Sequence, residues 1–227
     1  MKQTPAANWI KVGLFALPAY GLLVAYSTWK PQPDQVSDPE GWARFVSSTS
    51  YLISHVIANV LGTALVIFGT FALGAFLAAG RVPRLGLWGM VLSITGYVLF
   101  TVPGVISTFA TPAIGGAYLA GNREVMTLEF SPVLTVIIML GLLLTVIGNG
   151  VLSVAIWRSG SLPRWAGVVW GAATLIFYVL GAALGMATTG ASLPTQPIGG
   201  ALMAVSGAWI AWAAVRKPAT ESVSLTA

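Results

Sequence analysis

The residues best suited to bind or react with another molecule form a row of polar side chains in the second apolar segment of the chain. His55, Asn59 and Thr63 recur every four residues, a spacing that places their side chains on one face of a helix. An imidazole, an amide and a hydroxyl can all hydrogen-bond to a bound molecule. Polar groups are costly in contact with hydrocarbon, so this face is expected to point into a helix bundle. The spacing predicts one wall of a polar pocket that opens outward.

Two charged residues, Arg44 and Glu129, complete the predicted ligand-binding set because they fall near the expected outer ends of the helices. A pH-sensitive pair of His55 and Glu129 is one interpretation. The alternative is that the polar row only joins helices, since such hydrogen bonds contribute about 0.6 kcal/mol each on average. Further polar residues expected near the pocket are Thr101, Ser107, Arg123, Glu124 and Thr135.

The chain lacks the residues that several kinds of active site require. It has no cysteine and a single histidine, whereas a metal at His55 would need two or three further ligands, so neither a metal nor a cofactor is predicted. HExxH and P-loop motifs are absent. The apolar segments contain no Asp, Glu, Lys or Arg apart from Lys11 at one edge, which disfavours proton-coupled transport and voltage sensing. An enzyme is therefore the less favoured class.

The composition excludes a soluble protein. Of 227 residues, 56% are hydrophobic and only 7% are charged, against about a quarter charged in ordinary soluble domains. Apolar runs such as 133–147 do not alternate with polar residues, which favours helices over a barrel. The sequence predicts a single all-α membrane domain over residues 1–227, with the lipid bilayer as its partner.

Six apolar segments are long enough to cross a bilayer, whose core of about 30 Å takes about 20 helical residues. The predicted spans are 10–29, 51–79, 85–107, 132–157, 165–187 and 198–215. Pro18 and Pro103 fall inside spans and predict kinks. The first span also has some features of a signal peptide, with a weak cleavage triplet at 25–27.

Charge falls unequally on the two sides of these spans. Eight of the eleven basic residues lie at the N-terminus and in alternate connections, and five of the six acidic residues lie on the other side. The basic residues on the first side are Lys2, Lys11, Arg81, Arg84, Arg158, Arg164, Arg216 and Lys217. The positive-inside rule then predicts a plasma-membrane protein with both termini in the cytoplasm. This topology accounts for the net charge of +5, so no nucleic-acid partner is predicted.

Four pairs of short segments recur in the same order at an offset of about 79–84 residues. The pairs are 65–69 with 144–148, 82–84 with 162–164, 96–99 with 177–180, and 112–117 with 196–201. They predict an internal parallel duplication of helical hairpins, with units of about 65–120 and 144–204, related by an axis along the membrane normal.

The outer connection before the second span contains a helix-start signal. Asp38 can cap a helix, Pro39 suits its first position and Glu40 suits its first turn. This pattern predicts a short amphipathic helix over 39–47 that lies at the outer interface. The serine- and threonine-rich run 47–50 is expected to bend the chain into the second span.

Two short motifs carry a resemblance to a group of known proteins. Trp42 and Phe45 precede Ser54-His55 near the start of the second span, and a Leu-Pro-Arg-Trp turn at 162–165 precedes the fifth. In these features the chain resembles uncharacterised bacterial six-span integral membrane proteins. The resemblance implies a six-span topology and assigns a role to no residue.

The sequence leaves three functional hypotheses open. The leading one is a protein that binds or moves a small uncharged or lipidic ligand from the outer side. The second is an accessory subunit that packs against a membrane partner, or against a second copy, through glycine-rich faces such as the Gly181 and Gly185 pair. The third is a membrane-interface enzyme that uses His55 and Glu129. Asn149 and Ser153 are expected to join helices.

Overall fold

The computed structural model describes residues 5–129, 131–190 and 192–216, and within these ranges every regular element is helical. Six of the helices are long and apolar enough to cross a membrane, which confirms the all-α class and the number of membrane-length helices. The helices are α1 (Asn8–Ser27), α2 (Pro39–Val46), α3 (Thr49–Ala78), α4 (Pro83–Leu119), α5 (Pro132–Ser159), α6 (Arg164–Thr188) and α7 (Thr195–Arg216), of which α2 is the short one. Lys2 and Lys217 lie outside the described residues.

Helix α1 packs into the bundle between α3 and α7. Leu14 and Leu17 are completely buried. The helix is interrupted at Leu14 and Phe15. Leu14 lies four residues before Pro18, and proline has no N–H to donate to the carbonyl at that distance. Helix α1 is therefore interrupted beside Pro18, where the sequence predicts a kink.

Helices α4 and α5 form the most extensive helix pair, and small residues make their close approach possible. An added Cβ at Gly96 would lie 2.4 Å from the backbone nitrogen of Thr145. Conversely, an added Cβ at Gly148 would lie 2.3 Å from the backbone nitrogen of Ser93. Each helix thus places a glycine against a hydroxyl-bearing residue of the other, and the two contacts are reciprocal across the antiparallel crossing. Such small-residue contacts let helix backbones pack closely where the hydrophobic effect is weak.

A hydrogen-bonded polar cluster fills the centre of the bundle. The Asn149 side-chain oxygen accepts hydrogen bonds from the Tyr97 hydroxyl at 3.0 Å and from the Trp170 indole N–H at 2.7 Å. The same amide donates to the backbone carbonyl of Thr145 at 2.8 Å. Beside it, the hydroxyls of Tyr20 and Tyr178 bond to each other at 2.6 Å. Asn149 therefore joins α4, α5 and α6, as the sequence predicts, whereas Ser153 bonds only to a carbonyl of its own helix.

Helix α4 is longer than predicted. It has 37 residues, or about 55 Å at 1.5 Å per residue, and passes through a π-helical stretch at Ile106–Ala110 before ending at Leu119. The helix therefore continues past the predicted span end at 107, because residues 108–119 extend it instead of opening a loop. Ile114 and Tyr118 of this extension pack against the buried face of α2, which stabilises it.

The predicted short helix is confirmed as α2. Its contacts give a small core to one end of the bundle, which we call the outer end because the charge distribution predicts that it faces outward. Asp38 caps the helix by accepting a hydrogen bond from the backbone N–H of Gly41 at 2.9 Å. Trp42, Ala43 and Val46 are buried against the extension of α4. We call this assembly of α2 and residues 111–119 the outer cap. Ser48 then caps α3 by accepting from the backbone N–H of Tyr51, as expected for the bend.

The segment pairs at 82–84 and 162–164 occupy matching places, since α4 begins at Pro83 and α6 begins at Arg164. The pair at 112–117 and 196–201 does not. Residues 112–117 lie in the outer cap at the end of α4, whereas 196–201 form the first turns of α7. The internal duplication remains a prediction that rests on the other pairs.

Candidate functional site

The imidazole of His55 is held in one orientation near the outer end of α3. Its Nδ1 lies 2.9 Å from the backbone carbonyl oxygen of Tyr51, and its ring stacks on the Tyr51 ring with centroids 3.7 Å apart. Because a carbonyl oxygen can only accept, Nδ1 carries the proton and Nε2 of the neutral ring presents a lone pair. No residue in the described part of the chain hydrogen-bonds to that Nε2. The partly buried ring therefore offers a fixed acceptor.

Asn59, one turn further along α3, is bonded within the protein. Its side-chain amide donates to the backbone carbonyl of Gly104 at 3.2 Å and to the Thr108 hydroxyl at 3.0 Å. Both partners belong to α4, so Asn59 joins the two helices. The Thr63 hydroxyl, by contrast, makes no hydrogen bond to any described residue. Of the predicted row, Asn59 serves the fold, while His55 and Thr63 keep unused hydrogen-bonding capacity.

The outer halves of α3 and α4 both depart from α-helical geometry where these contacts occur. The π-helical stretch Val56–Leu61 contains Asn59, and the stretch Ile106–Ala110 contains Thr108. The Tyr51 hydroxyl lies 3.0 Å from that of Ser107 in the second stretch. π-Helical turns are rare and are frequent at functional sites. The sequence predicts Ser107 beside the row, but it carries no signal for the two π-helical stretches.

Arg44 and Glu129 are not joined to the row by any hydrogen bond or ion pair in the described chain. Arg44 forms an ion pair with Glu40, one turn earlier in α2, and both side chains are largely exposed. Glu129 is exposed in the connection between α4 and α5. Among the described residues, no group of three or more His, Asp and Glu side chains could hold a metal ion.

The other predicted neighbours of the pocket are dispersed. The Thr101 hydroxyl donates to the backbone carbonyl of Tyr97 in its own helix. Arg123 lies over the Tyr118 ring in the outer cap, 5.5 Å from the ring centroid. Glu124 and Thr135 are exposed.

A groove at the outer end was not predicted from the sequence. It has a volume of about 470 Å³ and runs between the end of α1, the connection at 192–194 and the first turns of α7. Its walls include Leu193, Ile198 and Val205, and Lys30 lies at its rim. The sequence signal that could have indicated this groove is a cluster of prolines, at 31, 194 and 197, in the two segments that line it. Proline favours open, irregular backbone.

The outer connections are tied together beside this groove. The backbone N–H of Gln35 donates to the carbonyl of Thr189 at 3.3 Å. The Asp34 carboxylate accepts hydrogen bonds from the backbone N–H groups of Ser37 and Val36. These bonds favour the charged form and lower the pKa of Asp34 below its ordinary value.

Comparison with protein-family models, curated proteins and solved structures finds no match for this chain.

Proposed function

We propose that the chain is a multi-pass protein of a bacterial-type plasma membrane, with the end that carries its arginine-rich turns in the cytoplasm. Six helices of membrane-crossing length and composition support insertion. Large apolar side chains such as Phe68, Val136 and Leu143 are exposed along them, as is expected of a surface in contact with lipid. The unequal distribution of charge supports the orientation.

Within this topology, we infer that the protein binds a small uncharged or lipidic ligand from the outer side, at the outer half of α3. The observation that carries this proposal is the Nε2 atom of His55, a fixed hydrogen-bond acceptor with no partner among the described residues. A ligand hydroxyl or amide would donate to it, and the hydroxyl of Thr63 lies on the same helix face. Arg44 and Glu129 lie outside this smaller site and are not required by it.

The surroundings favour an uncharged ligand at the outer end over passage through the centre. Helix α3 contains no Asp, Glu, Lys or Arg, so a desolvated ionic ligand would lack a counter-charge there. The centre of the bundle is occupied by Asn149 and its bonded aromatic partners. Binding at the periphery is thus better supported than movement along the bundle axis.

The two alternative functions have less support. An enzyme that uses His55 with Glu129 would need the two groups to meet, and Glu129 is exposed without a described bond to the imidazole. The glycine pair predicted to serve an accessory subunit or a homo-oligomer is not free. Gly181 and Gly185 are buried in their own chain, where an added Cβ at Gly181 would lie 2.7 Å from Gln196.

We also propose that the hairpins α3–α4 and α5–α6 derive from one duplicated unit. Besides the matching helix starts, the third segment pair supports this origin. Tyr97 and Tyr178 are related by the same offset, both are buried, and their rings meet at the centre with centroids 6.4 Å apart.

Native mass spectrometry of gently extracted protein tests the ligand proposal. We expect a reproducible bound mass in the natural protein that falls at least several-fold in His55→Phe, which keeps a ring on Tyr51 but removes the acceptor. Ser50→Ala is the matched control, because it removes an exposed hydroxyl of the same helix whose described hydrogen-bond partner is the Ser48 hydroxyl. An unchanged bound mass in His55→Phe, or no bound mass in the natural protein, would refute the proposal.

A further inference from the structure

The end of the bundle opposite the outer cap carries a concentrated positive charge. Two tight turns meet at this end: the first joins α3 to α4 and contains Arg81, and the second joins α5 to α6 and contains Gly160. An added Cβ at Gly160 would lie 3.4 Å from the Arg81 guanidinium. Arg158 lies in the last turn of α5 and Arg164 begins α6, on either side of that second turn. All five acidic residues in the described ranges lie in the outer connections. The arginines at this end therefore have no carboxylate partner within the described chain.

An apolar groove is lined in part by one of these arginines, Arg158. It has a volume of about 320 Å³, lies on the outside of the α5–α6 hairpin and is open to one side. The groove is lined by Val154, Trp157 and Val168 together with Ser153 and Arg158. One turn before Val154 in α5, an added Cβ at Gly150 would meet no atom within 4 Å. The open strip thus continues from Arg158 toward the middle of the bundle.

Tryptophans surround the charged end of the groove. Trp157 and Trp165 contact each other edge to face with ring centroids 5.5 Å apart. The Arg164 guanidinium lies over the Trp157 ring, 5.7 Å from its centroid. Tryptophan is enriched at the headgroup level of membranes, so this contact holds a cation at the depth of lipid phosphates.

We propose that this groove, which we call the inner groove, binds one anionic phospholipid. The guanidinium groups of Arg158 and Arg164 bind the phosphate, for which arginine's planar array of donors is well suited. One acyl chain lies along Val154 and Val168 toward Gly150. The groove is apolar and opens sideways onto the exposed apolar surface of the helices, so it fits the acyl chain of a lipid. A soluble phosphate ester has no such chain and would leave the apolar part of the groove unfilled. This site is at the opposite end from His55 and is independent of the outer ligand.

Titration of the purified full-length chain in uncharged detergent tests the proposal, with native mass spectrometry counting bound lipids. The probes are dioleoylphosphatidylglycerol and dioleoylphosphatidylcholine. We expect selective retention of one phosphatidylglycerol, with an affinity about fivefold lower in Arg158→Gln, since each cation near a membrane surface contributes about 1 kcal/mol. Arg216→Gln is the control, because it removes the same charge at the same end from a side chain that lies over Trp212.

A second variant tests the chain-binding part of the site without changing any charge. Val168→Trp fills the groove and should also lower the affinity for phosphatidylglycerol several-fold, while thermal unfolding shows that the bundle is intact. Equal weakening by Arg158→Gln and Arg216→Gln would overturn the proposal, because the attraction would then be diffuse. An unchanged affinity in Val168→Trp would also overturn it, as would equal binding of glycerol 1-phosphate, which has no acyl chain.

Discussion

At the scale of single residues, the polar side chains of the helices divide into two groups. Asn59 and Asn149 use their amides within the protein and join neighbouring helices. His55 and Thr63 keep atoms without a described partner. The spacing of the row could be predicted from the sequence. The sequence could not show which of these side chains would bond within the protein, because whether an amide meets a partner depends on the rotation of the facing helix.

Replacing Asn149 with Ala should destabilise the protein by about 2–3 kcal/mol, because it breaks interhelical bonds and leaves the Trp170 N–H and the Tyr97 hydroxyl buried without their partner. Reversible unfolding in mixed micelles measures the change. Asn122→Ala, at an exposed amide in an outer connection, is the control and should have little effect. Equal stability of the two variants would show that the central cluster does not hold the helices together.

The carboxylate of Asp34 should titrate below the ordinary aspartate range. Because its folded pKa is lowered, the Asp34 turn is stabilised above the unfolded pKa of about 3.9 and loses that contribution as the pH falls through the folded value. The chain has only two aspartates, so ¹³C-labelled aspartate gives two carboxyl resonances, and Asp38→Asn assigns them. Titration of Asp34 at or above the ordinary value would contradict the hydrogen bonding of this turn.

At the scale of helices, glycine position decides which faces can pack. Gly148 lies at the crossing with Ser93, whereas Gly150, two residues later in the same helix, has open space around it. The sequence shows both glycines equally, so it could not identify the one that the crossing needs.

Gly148→Ala should therefore lower stability by roughly 1–3 kcal/mol or more, because its Cβ would overlap the α4 backbone. Gly150→Ala should raise it by about 0.5–1 kcal/mol, because alanine favours a helix over glycine. Unfolding of the two variants side by side measures the difference. A destabilising Gly150→Ala with a tolerated Gly148→Ala would contradict the α4–α5 crossing.

The extension of α4 shows why helix ends were harder to predict than helices. Residues 108–119 include Pro112, Gly115 and Gly116, which indicate a loop when taken alone. Packing of Ile114 and Tyr118 against α2 overrides that local preference. The start of α2 was predictable because Asp38 and Pro39 are a local signal, whereas the end of α4 depends on a contact with a segment about 70 residues earlier.

At the scale of the whole molecule, composition alone was enough to predict the class and the number of long helices, because six apolar runs must be buried in lipid or protein. We propose different tasks for the two ends of the bundle. In this proposal the outer half of α3 binds an uncharged ligand, and the arginine-rich end faces the cytoplasm and binds an anionic lipid. Both assignments depend on which end faces the cytoplasm.

Cysteine accessibility in intact cells tests this orientation most directly, because the natural chain has no cysteine to give a background signal. Asn122→Cys lies in the connection beside the outer cap, and Ser161→Cys lies in the turn beside the inner groove. A membrane-impermeant maleimide should label Asn122→Cys in intact cells and should label Ser161→Cys only after the membrane is opened. Labelling of Ser161→Cys alone in intact cells would reverse the topology and contradict the account.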